Sequence, residues 1–213
     1  MLFLALCFAS TFIILKSTGV VTVEKIEIWL DLAKSADPIY VALIVSLLLF
    51  ADLLIAIPTL TVMLLSGYFL GPLNGAIASI TGLLVAGICG YGISRRYGYV
   101  LVNFLIKDTE EREKAIAMFN NHGAVVILLS RATPILPEIS ACMAGMSKMP
   151  FNNFIVLWLI STVPYSLIAS YAGSISSIDN PSPAIYTAIG LTGLFWAAWL
   201  LFRRRMKLER IRT

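Results

Sequence analysis

The chain has 213 residues, 59% hydrophobic and 13% charged, whereas soluble domains carry about 25% charged residues and under about 50% apolar ones. That composition places it in a bilayer, and at about 20 apolar residues per crossing no length is left for a separate water-soluble catalytic domain. The net charge of +4 gathers at one end, where Arg203, Arg204, Arg205, Lys207, Arg210 and Arg212 against Glu209 give +5 after residue 202. It marks a cytoplasmic membrane flank beside anionic headgroups rather than a nucleic-acid surface.

In chain order, residues 1–21 read as a first spanning helix: an apolar run without a basic leader, lengthened by a snorkelling Lys16. Residues 22–36 mix Glu24, Lys25, Glu27, Asp31 and Lys34 with Val23, Ile26, Trp29, Leu30 and Ala33, the pattern of an interfacial amphipathic helix. Residues 38–72 are apolar but interrupted by Asp52 and Pro58, too long for one span and too short for two. Residues 73–94 form a spanning helix carrying Ala78, Gly82, Ala86, Gly90 and Ser94 on one face, a close-packing stripe. The polar segment 95–121 reads as cytoplasmic and interfacial.

A second broken apolar run, 123–149, holds Arg131, Pro134, Pro137 and Glu138; spanning helices follow at 150–172 and 184–202, then a basic cytoplasmic tail at 203–213. With the tail inside, a crossing at 123–147 would put the Lys- and Arg-bearing middle segment outside, against the positive-inside rule. A re-entrant hairpin resolves the conflict.

The two broken runs superpose. Gly67 through Asn74 lies over Gly145 through Asn152, both G-x-x-x-x-P-x-N, and one residue of slippage upstream puts Pro58 on Pro137 and Asp52 on Arg131. The expected fold class is therefore an all-α polytopic membrane protein, an inverted repeat with two re-entrant helical hairpins (38–72 and 123–149) and about four spanning helices. Such a repeat brings Asp52 and Arg131 together near the midplane.

Chemistry is confined to few residues. Cys7, Cys89 and Cys142 sit in apolar runs without ligand spacing, and the single histidine, His122, lies in Asn120-Asn121-His122-Gly123, which reads as a helix terminus. No metal or cofactor is expected, and no nucleophile constellation or phosphate-cradling loop argues for an enzyme. Asp52, Arg131 and Glu138 are the ionisable groups inside apolar runs, where charge is costly and marks a substrate or proton pathway. Arg131 suits a phosphate headgroup through its permanent charge and fork of donors, and a carboxylic acid in an apolar medium can take up and release protons. The bland alternative is an ion pair that pins the hairpins. Pro58, Gly67, Gly71, Pro134, Pro137 and Gly145 read as hairpin-shaping, and Trp158, Trp196 and Trp199 as packing or interfacial anchors.

The stretch Leu129-Ser-Arg131-Ala-Thr-Pro134-Ile-Leu-Pro137-Glu138, with Ala144-Gly145-Met146 and Met149-Pro150-Phe151, resembles the DedA/VTT (SNARE-associated Golgi) membrane proteins, in the subgroup with R-x-x-P-x-x-P. Pro58, Gly67-Tyr-Phe-Leu-Gly71 and Gly90-Tyr-Gly-Ile-Ser-Arg95-Arg96-Tyr-Gly98 resemble that family's first hairpin and arginine-glycine ending. Arg95 and Gly98 thus belong to a family motif without an assigned role. The resemblance implies two facing re-entrant hairpins in a bacterial inner membrane. It also implies a flippase or scramblase for a phospholipid or undecaprenyl phosphate, with protons and an oligomer as further partners. Asp52 and Arg131 match positions associated with activity. Competing readings are a proton-coupled carrier of a small solute or ion and a structural membrane organiser.

Overall fold

The computed structural model describes residues 37–53, 58–105, 109–132, 136–177 and 180–212, giving backbone alone at 99–105, 109–118, 132 and 203–212. The expected helices at 1–21 and 22–36, and Pro134, lie outside the described residues. Described elements are α1 (Pro38–Ala51), α2 (Thr59–Leu105), α3 (Thr109–Leu129), a 3-10 turn (Ser130–Ala132), α4 (Leu136–Met146), α5 (Phe151–Ser174) and α6 (Ser182–Arg212). The described residues contain no strand, and the all-helical class holds.

Length decides which helices can cross a bilayer. At about 1.5 Å per residue, the 14 residues of α1 and the 11 of α4 reach only about 21 and 16 Å, short of the roughly 30 Å hydrocarbon core. Among the described residues three helical stretches are long and apolar enough: Thr59–Gly98, Phe151–Ser174 and Ser182–Phe202. The first is broken at Gly71, whose φ of 79° and ψ of 174° suit glycine. Pro72 follows, removes one N–H, and bars the preceding residue from helical geometry. The turn between α4 and α5 has Lys148 at φ 56°. The Lys148 N–H reaches the Gly145 carbonyl at 3.1 Å and the Met149 N–H reaches the Ala144 carbonyl at 3.1 Å, a left-handed C-terminal cap.

The small-residue stripe packs as expected. The Ser46 hydroxyl of α1 donates to the Ala78 carbonyl at 2.9 Å, and a Cβ on Gly82 would sit 2.5 Å from the Ser46 carbonyl oxygen. Two apolar cores result. One joins Val45 and Leu49 of α1 to Met63, Ala78 and Leu83 of α2, Tyr165 and Ala169 of α5 and Leu191 of α6. The other joins Tyr91 to Phe119, Ile127, Ala141, Ala144, Phe154 and Trp158. α5 closes both. The opposite face of α1 (Ile39, Tyr40, Leu43, Ile44, Leu47) and Ile185, Tyr186, Ile189, Leu194, Leu200 and Leu201 of α6 are exposed, as lipid-facing residues must be.

Two motif glycines make close helix contacts. Gly67 of α2 abuts the Ser170 backbone of α5, while Gly145 of α4 abuts the Tyr91 carbonyl and Arg95 N of α2. Each belongs to a G-x-x-x-x-P-x-N motif.

Two helix boundaries differ from the sequence reading. α2 runs past Ser94 to Leu105, since nothing in Arg95 to Leu105 breaks a helix except Gly98, which is filled by packing: its Cβ position lies 2.5 Å from Met146 Cγ. His122 is not at a terminus but inside α3, which continues to Leu129. The weak helix formers around it are overridden by tertiary contact, because the space at Gly123 takes the Met149 methyl (3.2 Å) and the Phe119 ring, and His122 packs edge-on to Phe202 of α6 at 5.9 Å.

Candidate functional site

Arg131 occupies the 3-10 turn where α3 ends, and it is buried to 9% exposure. A buried guanidinium is tolerated where its donors and charge are met. One Nη donates to Thr162 Oγ1 at 2.9 Å. The guanidinium carbon lies 5.1 Å from the Trp158 ring centre and 5.9 Å from that of Tyr165, within cation–π range. Its Nε has no hydrogen-bond partner among the described residues. Trp158, Thr162 and Tyr165 are spaced four and three apart, so one face of α5 forms the whole platform. The platform is itself fixed: Trp158 Nε1 donates to the Leu83 carbonyl at 3.1 Å, and Tyr165 meets Phe195 of α6 edge to face at 5.8 Å.

Two carboxyl groups stand beside this cation. Glu138 lies in the first turn of α4, where the helix dipole favours an acid. Asp52 ends α1, its N–H bonded to the Leu48 carbonyl at 3.2 Å. Both act electrostatically on Arg131, Glu138 more strongly than Asp52, and the Glu138 and Asp52 side chains are within hydrogen-bonding reach of each other. Asp52 and Glu138 thus both lie within electrostatic range of Arg131. Among the described residues no group of three or more His, Cys, Asp or Glu could hold a metal ion.

The prolines and glycines singled out in the sequence lie at helix starts, breaks and crossings. Pro58 is exposed immediately before α2, Pro137 is buried in the first turn of α4 beside Glu138, and Gly67, Gly71 and Gly145 serve the breaks and crossings described above. Near Gly67 a hydroxyl cluster crosses the helices: Ser66 Oγ reaches Ser79 Oγ at 3.0 Å and Ser170 Oγ at 3.4 Å. Sequence reasoning missed Thr162 and Tyr165 and took Trp158 for a packing anchor. The i, i+4, i+7 spacing of 158, 162 and 165 was the available signal.

Comparison with known proteins adds an independent line. A family model described as VTT domain matches residues 57–175. Undecaprenyl phosphate transporter A of Bacillus subtilis (strain 168) is 27% identical over 126 residues, 55% of this chain and 64% of that protein. An uncharacterized membrane protein of Synechocystis is 25% identical over 174 residues, 70% of this chain and 78% of its own length. Protein DedA of Escherichia coli (strain K12) is 30% identical over 98 residues, 43% of this chain and 45% of that one. The chain thus spans less than two thirds of the B. subtilis and E. coli relatives. No solved structure matches. Membrane-protein relatives and three apolar helices together make this a multi-pass membrane protein.

Proposed function

Since the chain belongs to the VTT domain family, we propose that it transports a phosphate-bearing lipid, a phospholipid or undecaprenyl phosphate, between the leaflets of a bacterial inner membrane, with its C-terminus cytoplasmic. The observation that carries this reading is the buried Arg131 guanidinium, set at a helix break, backed by aromatic rings and left with an unpartnered Nε. A phosphate oxygen is a fitting partner for that donor, since charge-assisted bonds to guanidinium are among the strong ones. The name of the B. subtilis relative supports the same substrate class.

In this reading α1 with the first arm of α2, and α3 with α4, enter from opposite faces and turn back, because α1 and α4 are too short to cross. Their broken ends line a midplane site, as in carriers built from inverted repeats. The headgroup binds Arg131 while the lipid tails stay in the bilayer. Glu138, a carboxylic acid close to a second carboxyl group, can take up and release a proton. Its charged form competes with phosphate for Arg131 and expels it. Lipid movement is thereby tied to proton movement.

The test is movement of labelled phospholipid and of undecaprenyl phosphate between leaflets of proteoliposomes, with and without an imposed pH gradient. Asp52→Asn and Arg131→Ala should each abolish it while inserting and folding normally. Full movement by folded Arg131→Ala refutes the assignment. No movement of either lipid by folded wild type shifts the site to a small-solute carrier.

A further inference from the structure

The headgroup reading leaves the motif from Gly90 to Gly98 unused, and its side chains converge on one atom. The Met149 carbonyl oxygen, at the turn between α4 and α5, accepts from Tyr91 Oη at 2.6 Å and from an Arg95 Nη at 3.0 Å. The same Arg95 nitrogen also donates to Tyr91 Oη, and its guanidinium lies over the Tyr91 ring at 5.6 Å. That carbonyl lies outside the α5 ladder, whose first bond runs from the Phe154 N–H to the Pro150 carbonyl at 3.1 Å. It therefore depends on α2 for its partners. Gly98, receiving Met146, and Gly145, set against Arg95 N, seat the same corner.

From this corner a column of rings leads inward. Tyr91 stacks on Phe154 at 4.7 Å and 17°, Phe154 meets Trp158 at 5.4 Å, and Trp158 carries the Arg131 guanidinium at 5.1 Å. Tyr91, Phe154 and Trp158 are all buried, whereas Arg95 is exposed. An exposed arginine and a buried one thus stand at opposite ends of one packed column.

The geometry points to Arg95 as a positioning residue for Arg131: it clamps the turn after α4 through Met149 and Tyr91, and the Tyr91, Phe154, Trp158 column transmits that placement to the guanidinium. Packed interiors pass on such constraints because rings cannot shift independently at native density. The inference rests on the headgroup reading only where lipid movement is the readout.

The experiment uses full-length protein in which Trp29, Trp196 and Trp199 are changed to Phe, leaving Trp158 as the one emitter. Its emission maximum is compared among parent, Arg131→Ala, Arg95→Gln, Tyr91→Phe, the Arg95→Gln/Tyr91→Phe double variant and Arg96→Gln, alongside movement of labelled undecaprenyl phosphate and phospholipid. Arg95→Gln and Tyr91→Phe should both move the emission toward the Arg131→Ala value and slow lipid movement about fivefold. The double variant should be no worse than the poorer single one, since both act on Met149. Arg96→Gln, which removes the neighbouring exposed charge, should match the parent. Tyr91→Phe keeps charge and ring column, so it tests the clamp even if Arg95→Gln folds poorly. Parental emission in both Arg95→Gln and Tyr91→Phe overturns the inference, as does an equal shift in Arg96→Gln. Emission that responds as stated in a protein that moves neither lipid upholds the clamp and refutes the headgroup reading alone.

Discussion

Replacing Gly145 by Ala tests the packing on which the candidate site rests. A Cβ there meets the Tyr91 carbonyl oxygen, Arg95 N at 2.8 Å and Ser94 Cβ at 3.1 Å, whereas ordinary contacts begin at 3.4 Å. Two of these partners are backbone atoms of a long helix, so α4 must retreat by at least 0.6 Å from Arg95 N to accommodate one methyl group. Overpacking of this kind costs about 1–3 kcal/mol, offset by about 0.5–1 kcal/mol from the better helix propensity of alanine. A net loss of about 1–2 kcal/mol corresponds to a Tm drop of about 2–8 °C for a chain this long. Gly92 supplies the control, because a Cβ there meets nothing within 4 Å and Gly92→Ala should keep the propensity gain. Thermal unfolding of the two variants in one detergent, followed by tryptophan emission, should place Gly145→Ala below wild type and Gly92→Ala at or slightly above it. Equal melting of the two, or a more stable Gly145→Ala, refutes the close approach of α4 and α2.

Other outcomes follow from the same contacts. Lys148 holds a left-handed conformation at φ 56°, so Lys148→Gly should stabilise by about 1 kcal/mol, read as a higher Tm; a lower one contradicts the cap. Thr162→Val removes the oxygen bonded to Arg131. Leaving that donor unmet costs about 1–3 kcal/mol, and the variant should show both a lower Tm and altered lipid movement; unchanged values in both contradict the platform. Glu138→Gln removes the group to which we assign proton uptake, so the pH dependence of lipid movement should flatten, whereas an unaltered pH profile separates proton uptake from Glu138.

What could be read in the sequence was what chemistry makes rare or periodicity makes regular. Charge inside an apolar run is uncommon enough that Asp52, Arg131 and Glu138 stand out individually in the sequence. The stripe from Ala78 to Ser94 was legible because a period of four on a helix makes one face, and Ser46 and Leu49 of α1 pack against it. The platform of Trp158, Thr162 and Tyr165 was not legible, since tryptophan and tyrosine in a membrane helix are common and their use as a cation's support depends on where another helix ends. His122 was misread because local propensity around Asn120 and Asn121 argues for an end, whereas Met149, distant in sequence, fills the space at Gly123. The arginine-glycine motif was visible but mute: its partner is a main-chain carbonyl, and backbone atoms leave no trace in residue identity.

The central claim, that Arg131 recognises a lipid phosphate, is tested most directly by binding rather than transport. Purified protein in detergent would be titrated with undecaprenyl phosphate and phosphatidic acid, and with undecaprenol and diacylglycerol, which carry the same tails without the phosphate. Wild type should bind at least one phosphate lipid far more tightly than its phosphate-free counterpart, and Arg131→Met, folded and equally stable, should lose that difference. Equal binding with and without the phosphate, or a phosphate preference that survives in Arg131→Met, contradicts the account.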